Sequence, residues 1–246
     1  MRDVILVTGA SSALGRSLLS RLARTDAVVY AHHASGTDSL QKHIASLSAN
    51  ATFLPVRADF ASLTDTEAMI DTIRQGHQRP NKIVHLSALP LTLERFAKIQ
   101  LDQLEASWSV SLRSIVQVTR AFLPGLAKEA VDGRVVFALS SVTLGTPPKG
   151  MAAYTVVKYA LLGLMRSLAV EYAESKIRVN AVSPYTMETA FLAGVPHKYA
   201  EIAASQNPAR RNATPEDVVP AIEFLLSEES RFITGANIPV TAGAAF

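Results

Sequence analysis

Val4-Ile5-Leu6-Val7-Thr8-Gly9-Ala10-Ser11-Ser12-Ala13-Leu14-Gly15 is the stretch whose reading decides the fold. Val4 to Val7 is an unbroken apolar run, rich in β-branched residues and too short for a helix. It reads as a strand covered on both faces. Thr8 and Gly9 end it, and from Ala13 the spacing of apolar residues becomes helical. A glycine-rich turn between a strand and a helix lets the backbone approach a pyrophosphate, and the helix N-terminus offers free N–H groups to it. Ser11 and Ser12 add hydroxyls. Taken alone, the same letters also describe a tight βα turn with a serine cap.

Outward from this unit the pattern repeats. Further strands are expected near Ala27–Ala31, Thr52–Val56, Lys82–Leu86, Arg134–Ala138, Ile177–Ala181 and Asn237–Val240. Amphipathic stretches fill the gaps, near Ala13–Arg24, Gly36–Leu47, Asp65–Gln75, Leu101–Ala127, Ala152–Tyr172 and Pro215–Leu226. Strict alternation of this kind predicts a doubly wound α/β sheet of seven mostly parallel strands with helices on both faces. No stretch reads as a linker, so residues 1–246 are expected to form one domain. Glycine and proline cluster at the strand ends, where such a fold carries its functional loops.

Composition narrows the chemistry. The chain has no cysteine, which excludes disulfides and thiolate catalysis. Its net charge is +3 and its cations are scattered, so no nucleic-acid stripe is expected. The six histidines show no ligand spacing, and no metal site is expected. The first apolar run is too short for a signal or a span, which predicts a cytoplasmic protein with no membrane partner.

A second stretch, Ser141-Val-Thr-Leu-Gly-Thr-Pro-Pro-Lys-Gly-Met-Ala-Ala-Tyr154-Thr-Val-Val-Lys158, carries candidate chemistry. If Ala152 onward is helical, Tyr154 and Lys158 lie on one face, one turn apart. A nearby cation favours the phenolate and lowers a tyrosine pKa from its usual value of about 10. Ser141 could hold a substrate oxygen beside the phenol. On these residues alone, an ordinary helix pair, with the tyrosine half buried and the lysine in solvent, is the leading reading.

Together, the motifs resemble the short-chain dehydrogenase/reductase family over nearly the whole chain. Thr8, Gly9 and Gly15 match its phosphate loop, and Tyr154 and Lys158 its Tyr-x-x-x-Lys. Ser141 stands thirteen residues before the tyrosine, the family's common spacing. Ile177 to Pro184 is similar to its nicotinamide-side strand. Thr214-Pro215-Glu216-Asp217-Val218 and Ile233-Thr234-Gly235 are similar to its C-terminal signature. The 3-oxoacyl-carrier-protein reductases look most alike. The chain departs from the family pattern at Ala13 in the phosphate loop and at His85-Leu86-Ser87-Ala88 after the fourth strand. It departs again at Ser111, at Tyr185 after Pro184, and at Thr241-Ala242-Gly243.

The resemblance implies a Rossmann-type fold and hydride transfer between a nicotinamide cofactor and a carbonyl or alcohol, with a 3-oxoacyl thioester as the first substrate class. It implies Ser141, Tyr154 and Lys158 as catalytic groups, with Ser111 in place of a relay asparagine. Gly9, Ser11, Ser12, Leu14, Gly15, Asp59, Pro184, Met187 and Thr189 would contact the cofactor, together with Tyr154 and Lys158. No acid ends the second strand, where one would select NAD. His33 aligns where NADP-using members carry arginine, and Ser35 and Arg16 could reach a 2′-phosphate, so NADP(H) is favoured over NAD(H). Residues 187–212 read as a substrate lid. The helix from Ala152 is apolar over most of its circumference, which predicts a homodimer or homotetramer. The alternative from another class is a dinucleotide-binding regulatory or assembly subunit with little catalysis.

Overall fold

The computed structural model describes residues 2–76 and 79–246. Seven strands form one sheet: β1 (Asp3–Thr8), β2 (Ala27–His33), β3 (Thr52–Arg57), β4 (Lys82–His85), β5 (Gly133–Ala138), β6 (Ile177–Pro184) and β7 (Asn237–Val240). Their order is β3-β2-β1-β4-β5-β6-β7, and every pairing is parallel. The chain therefore winds outward twice from β1, and the order reverses between β1 and β4. Loops at the carboxyl ends part at that point and leave a crevice. Edge positions go to β3 and β7, where Pro55 and Pro239 interrupt the ladder that another strand would need.

Helices cover both faces. On one side lie α1 (Ala13–Leu22), α2 (Thr37–Ser46) and α8 (Pro215–Leu226), whose Leu18, Leu19, Leu40 and Ile222 pack with Ile5 and Val7 of β1. On the other lie α3 (Leu63–Gln75), α5 (Ser114–Lys128) and α6 (Ala152–Glu171), whose Ile73, Ile115, Phe122, Leu161 and Met165 pack with Leu6. The alternation of Ile5 and Val7 against Leu6 is the period of two expected of a strand. Two cores, one per face, explain why β1 and β2 read as nearly continuous apolar runs.

The expected helix over Leu101–Ala127 has an interruption. It is α4 (Leu101–Trp108), then a π-helical turn at Ser109–Arg113, then α5. A single widened turn of this kind lets one carbonyl leave the helix axis. Between β6 and α8 a short 3₁₀ turn (Ala190–Leu192) and α7 (His197–Gln206) cross the carboxyl end of the sheet as a lid.

Candidate active site

A cleft of about 1380 Å³ opens at the carboxyl ends of the strands. One half is built from backbone. Thr8 ends β1 and Gly9 turns the chain with φ +69°, a conformation suited to glycine. A Cβ there would lie 3.1 Å from the Leu86 and Ser87 backbone, so the loop also needs glycine's small size. Ser12 caps α1 by accepting from the Gly15 N–H at 3.0 Å. At Gly15 a Cβ would sit 2.5 Å from the Gly9 carbonyl, so Gly15 serves packing beneath the loop and does not itself line the cleft. Gly9, Ser11, Ser12, Ala13 and Leu14 do line it. The first turn of α1 has no acidic residue. A close-packed glycine turn facing a free helix N-terminus fits a dinucleotide pyrophosphate.

Period two divides the histidines at the end of β2. His32 turns toward the crevice, and its ring stacks on Phe60 with centroids 3.9 Å apart. Its Nδ1 accepts from the Gly9 N–H at 3.1 Å, so Nε2 carries the proton and donates to the Ala58 carbonyl at 3.1 Å. Burial pushes its pKa down to about 4. His33 faces the other way, toward Thr37 on α2, and does not line the cleft. His33 thus stands outside the lining of the cleft. Arg16 does not line the cleft either; its guanidinium donates to the Ser11 carbonyl. Ala34, Ser35 and the exposed Asp59 remain at this end. Asp59 accepts from the Ala61 N–H at 2.9 Å, so it closes a turn while lining the cleft.

The other half is built from side chains. Tyr154 and Lys158 face it from the first turns of α6. Lys158 is 5% exposed, donates to the Ala138 carbonyl at 2.8 Å, and has Nζ 5.6 Å from the Tyr154 ring centroid. Burial lowers the lysine pKa to about 8. The phenol moves opposite to the sequence expectation. Burial pushes it up to about 12, and the strongest opposing influence is a hydrogen bond with Ser140, not the lysine.

The serine is the second surprise. Spacing from Tyr154 points to Ser141; the hydroxyl that opposes the phenol's rise is that of Ser140, whose Oγ accepts from the Val142 N–H at 3.4 Å. Ser140 is still extended (φ −169°, ψ 156°), and a 3₁₀ turn starts at Ser141. Ser141 also lines the cleft. Ala138 pairs with Val182 and Leu139 donates to the Val182 carbonyl, which fixes Ser140 at the sheet end.

Pro184, Met187 and Thr189 line the cleft from the end of β6. Thr189 also caps the 3₁₀ turn by accepting from the Phe191 N–H at 3.3 Å. Tyr185 donates to the Ala203 carbonyl of α7 at 3.3 Å, and the Leu91 N–H donates to the Phe191 carbonyl at 2.8 Å. These bonds hold the lid over an apolar compartment of Leu91, Val142, Met151, Phe191, Leu192 and Tyr199. Lid residues such as Phe191 and Tyr199 carried no sequence signal, because they meet Tyr154 only through the tertiary fold. Ser111 lies behind the cleft, in a cavity of about 40 Å³ that it lines with Tyr154 and Lys158.

The family profile described as Enoyl-(Acyl carrier protein) reductase matches residues 9–245. The chain is a short-chain dehydrogenase/reductase. It is 30% identical to an acetoacetyl-CoA reductase of Allochromatium vinosum, across 99% of this chain and 98% of that one. It is also 30% identical to a 3-oxoacyl-acyl-carrier-protein reductase of Thermotoga maritima, across 98% of this chain and 96% of that one. A 3-ketoacyl-acyl-carrier-protein reductase structure from Brucella melitensis, complexed with NADH, superposes with TM-score 0.88 at 22% identity. That likeness covers 99% of this chain and 98% of that one, and shows the same Rossmann-like fold. As a short-chain dehydrogenase/reductase, this protein is an oxidoreductase of carbonyl and hydroxyl groups that uses a nicotinamide dinucleotide.

Proposed function

We propose that the protein reduces an apolar ketone with NADP(H), and that Ser140, Tyr154 and Lys158 are its catalytic residues. The observation that carries this is their convergence. A buried ammonium, a phenol and a serine hydroxyl meet where the glycine loop's half of the cleft joins the apolar compartment. The substrate oxygen would accept from the Ser140 and Tyr154 hydroxyls. A phenol pushed up to about 12 is fully protonated at neutral pH, as an acid must be to donate. Lys158, still largely cationic at pH 7, stabilises the phenolate left behind. The bound dinucleotide supplies the hydride, and the chain supplies orientation, protonation and exclusion of water.

The lid compartment has the character of an acyl or hydrocarbon pocket, which supports a 3-oxoacyl thioester, on a carrier or free, as first substrate to try. NADP(H) is favoured because no acid lines the end of β2, where Ala34 and Ser35 stand; His33 forms no part of this argument. Titration with NADPH and NADH decides it, and tighter NADH binding removes the preference. Exposed Leu101 and Trp108 on α4 and Val156 and Tyr159 on α6 support a homodimer or homotetramer in a soluble compartment, and sedimentation as a monomer removes that assembly.

Tyr154→Phe tests the core of the reading. Loss of the phenolic proton is expected to cost roughly 10²- to 10⁴-fold in NADPH-dependent ketone reduction, with nucleotide affinity kept. Undiminished turnover removes Tyr154 from its role. Absence of turnover by the unmodified protein on a ketone panel would leave the regulatory-subunit reading.

A further inference from the structure

His85 ends β4, and its ring makes two hydrogen bonds. Nδ1 lies 2.8 Å from Thr8 Oγ1 and Nε2 lies 2.7 Å from the Ser111 carbonyl oxygen. A carbonyl only accepts, so Nε2 carries the proton and Nδ1 accepts from the Thr8 hydroxyl. Thr8 Oγ1 accepts in turn from the Leu86 N–H at 3.2 Å. Every donor in the chain Leu86, Thr8, His85, Ser111 thus has one direction. The ring is 1% exposed and packs edge-on against Phe137. Burial pushes its pKa down to about 3, so it is neutral at physiological pH.

Ser111 belongs to the π-helical turn, where a carbonyl can leave the helix axis. Lys158 lines the same small cavity as Ser111. The Ala138 carbonyl on β5 accepts from Lys158 at 2.8 Å, and the Ser111 carbonyl is held by His85. A buried acceptor left unpaired is costly, so without His85 the Ser111 carbonyl would draw the ammonium or close the π turn.

We propose that His85 is a positioning residue for Lys158. By holding the Ser111 carbonyl, it keeps the ammonium on the Ala138 carbonyl beside Tyr154 and ties the π turn to the end of the phosphate-loop strand. The proposal rests on the reductase reading for its kinetic consequence.

Two variants of equal reach test it. His85→Gln keeps an amide N–H near the Nε2 position, and His85→Met fills similar space with no donor. The Gln variant is expected to keep kcat within about threefold, while the Met variant loses roughly 30-fold in kcat with little change in ketone KM or nucleotide Kd. Equal kcat in the two folded variants overturns the proposal. A second readout needs neither turnover nor the Met variant. Long-range ¹H–¹⁵N spectra of the unmodified protein should show His85 as the Nε2–H tautomer, without titration between about pH 6 and pH 9. An Nδ1–H tautomer, or a titration in that window, overturns it. If the unmodified protein binds nucleotide but reduces no ketone, the reductase reading fails while the tautomer still decides what His85 holds.

Discussion

The two halves of the cleft are made of different material. The nucleotide half is backbone, a turn of glycines and a capped helix, backed by the buried ring of His32. The substrate half is side chains gathered from β5, α6 and a lid, held by Tyr185 on Ala203 and Leu91 on Phe191. A backbone site depends on what is absent, because a single Cβ would fill it. A side-chain site depends on which groups the fold brings into register. The first tolerates little change in volume, and the second little change in position.

The largest expected effect sharpens this contrast on the side-chain half. Ser140→Ala removes the hydroxyl that opposes the phenol's rise and, on the proposed reading, should lower kcat by about 10²- to 10³-fold. Ser141→Ala, one residue away, should stay within about threefold. Equal losses would mean that register does not decide this half. Next comes the backbone half. At Gly15 a side chain would meet the Gly9 carbonyl at 2.5 Å from its first atom. Gly15→Val should weaken NADPH binding at least tenfold, about 1.4 kcal/mol, in a titration, with a lowered Tm. Unchanged affinity would show the loop to be more yielding than its packing implies.

A smaller effect comes from pH. Lys158 has its pKa lowered to about 8, while Tyr154 is pushed up to about 12 and stays protonated. The useful cation is present below about 8 and lost above it. The rate of reduction should therefore fall as pH rises through 8, by up to about tenfold by pH 9. His85, facing Lys158 from β4, is neutral throughout this range and adds no inflection. A rate flat to pH 9 would separate the lysine charge from the proton transfer.

Much of the fold was legible. Val4 to Gly15 contains strand, turn and helix start in order, and each is a local preference of the residues involved. The seven expected strands all exist; β1 and β2, buried on both faces, are apolar along most of their length, while the edge strands β3 and β7 are largely exposed or half-buried. The π turn at Ser109–Arg113 was not legible, since Trp108 to Ser114 reads as ordinary helix and only the pull of His85 on the Ser111 carbonyl marks the turn. In the site, Tyr154 and Lys158 were legible because a helix fixes their relation within one turn. The serine was not, because a loop of unknown path separates it from the tyrosine.

The sequence by itself determined the layered architecture, the glycine turn and the pairing of phenol with ammonium. Each follows from interactions within a few residues of chain. Tertiary structure alone decided that the Ser140 hydroxyl bears on the phenol pKa, and that His32 rather than His33 faces the crevice. It also decided that the phenol pKa rises rather than falls. These depend on strand register, side-chain alternation at a sheet end and burial beneath a lid, which set the distances and the dielectric that local sequence does not contain.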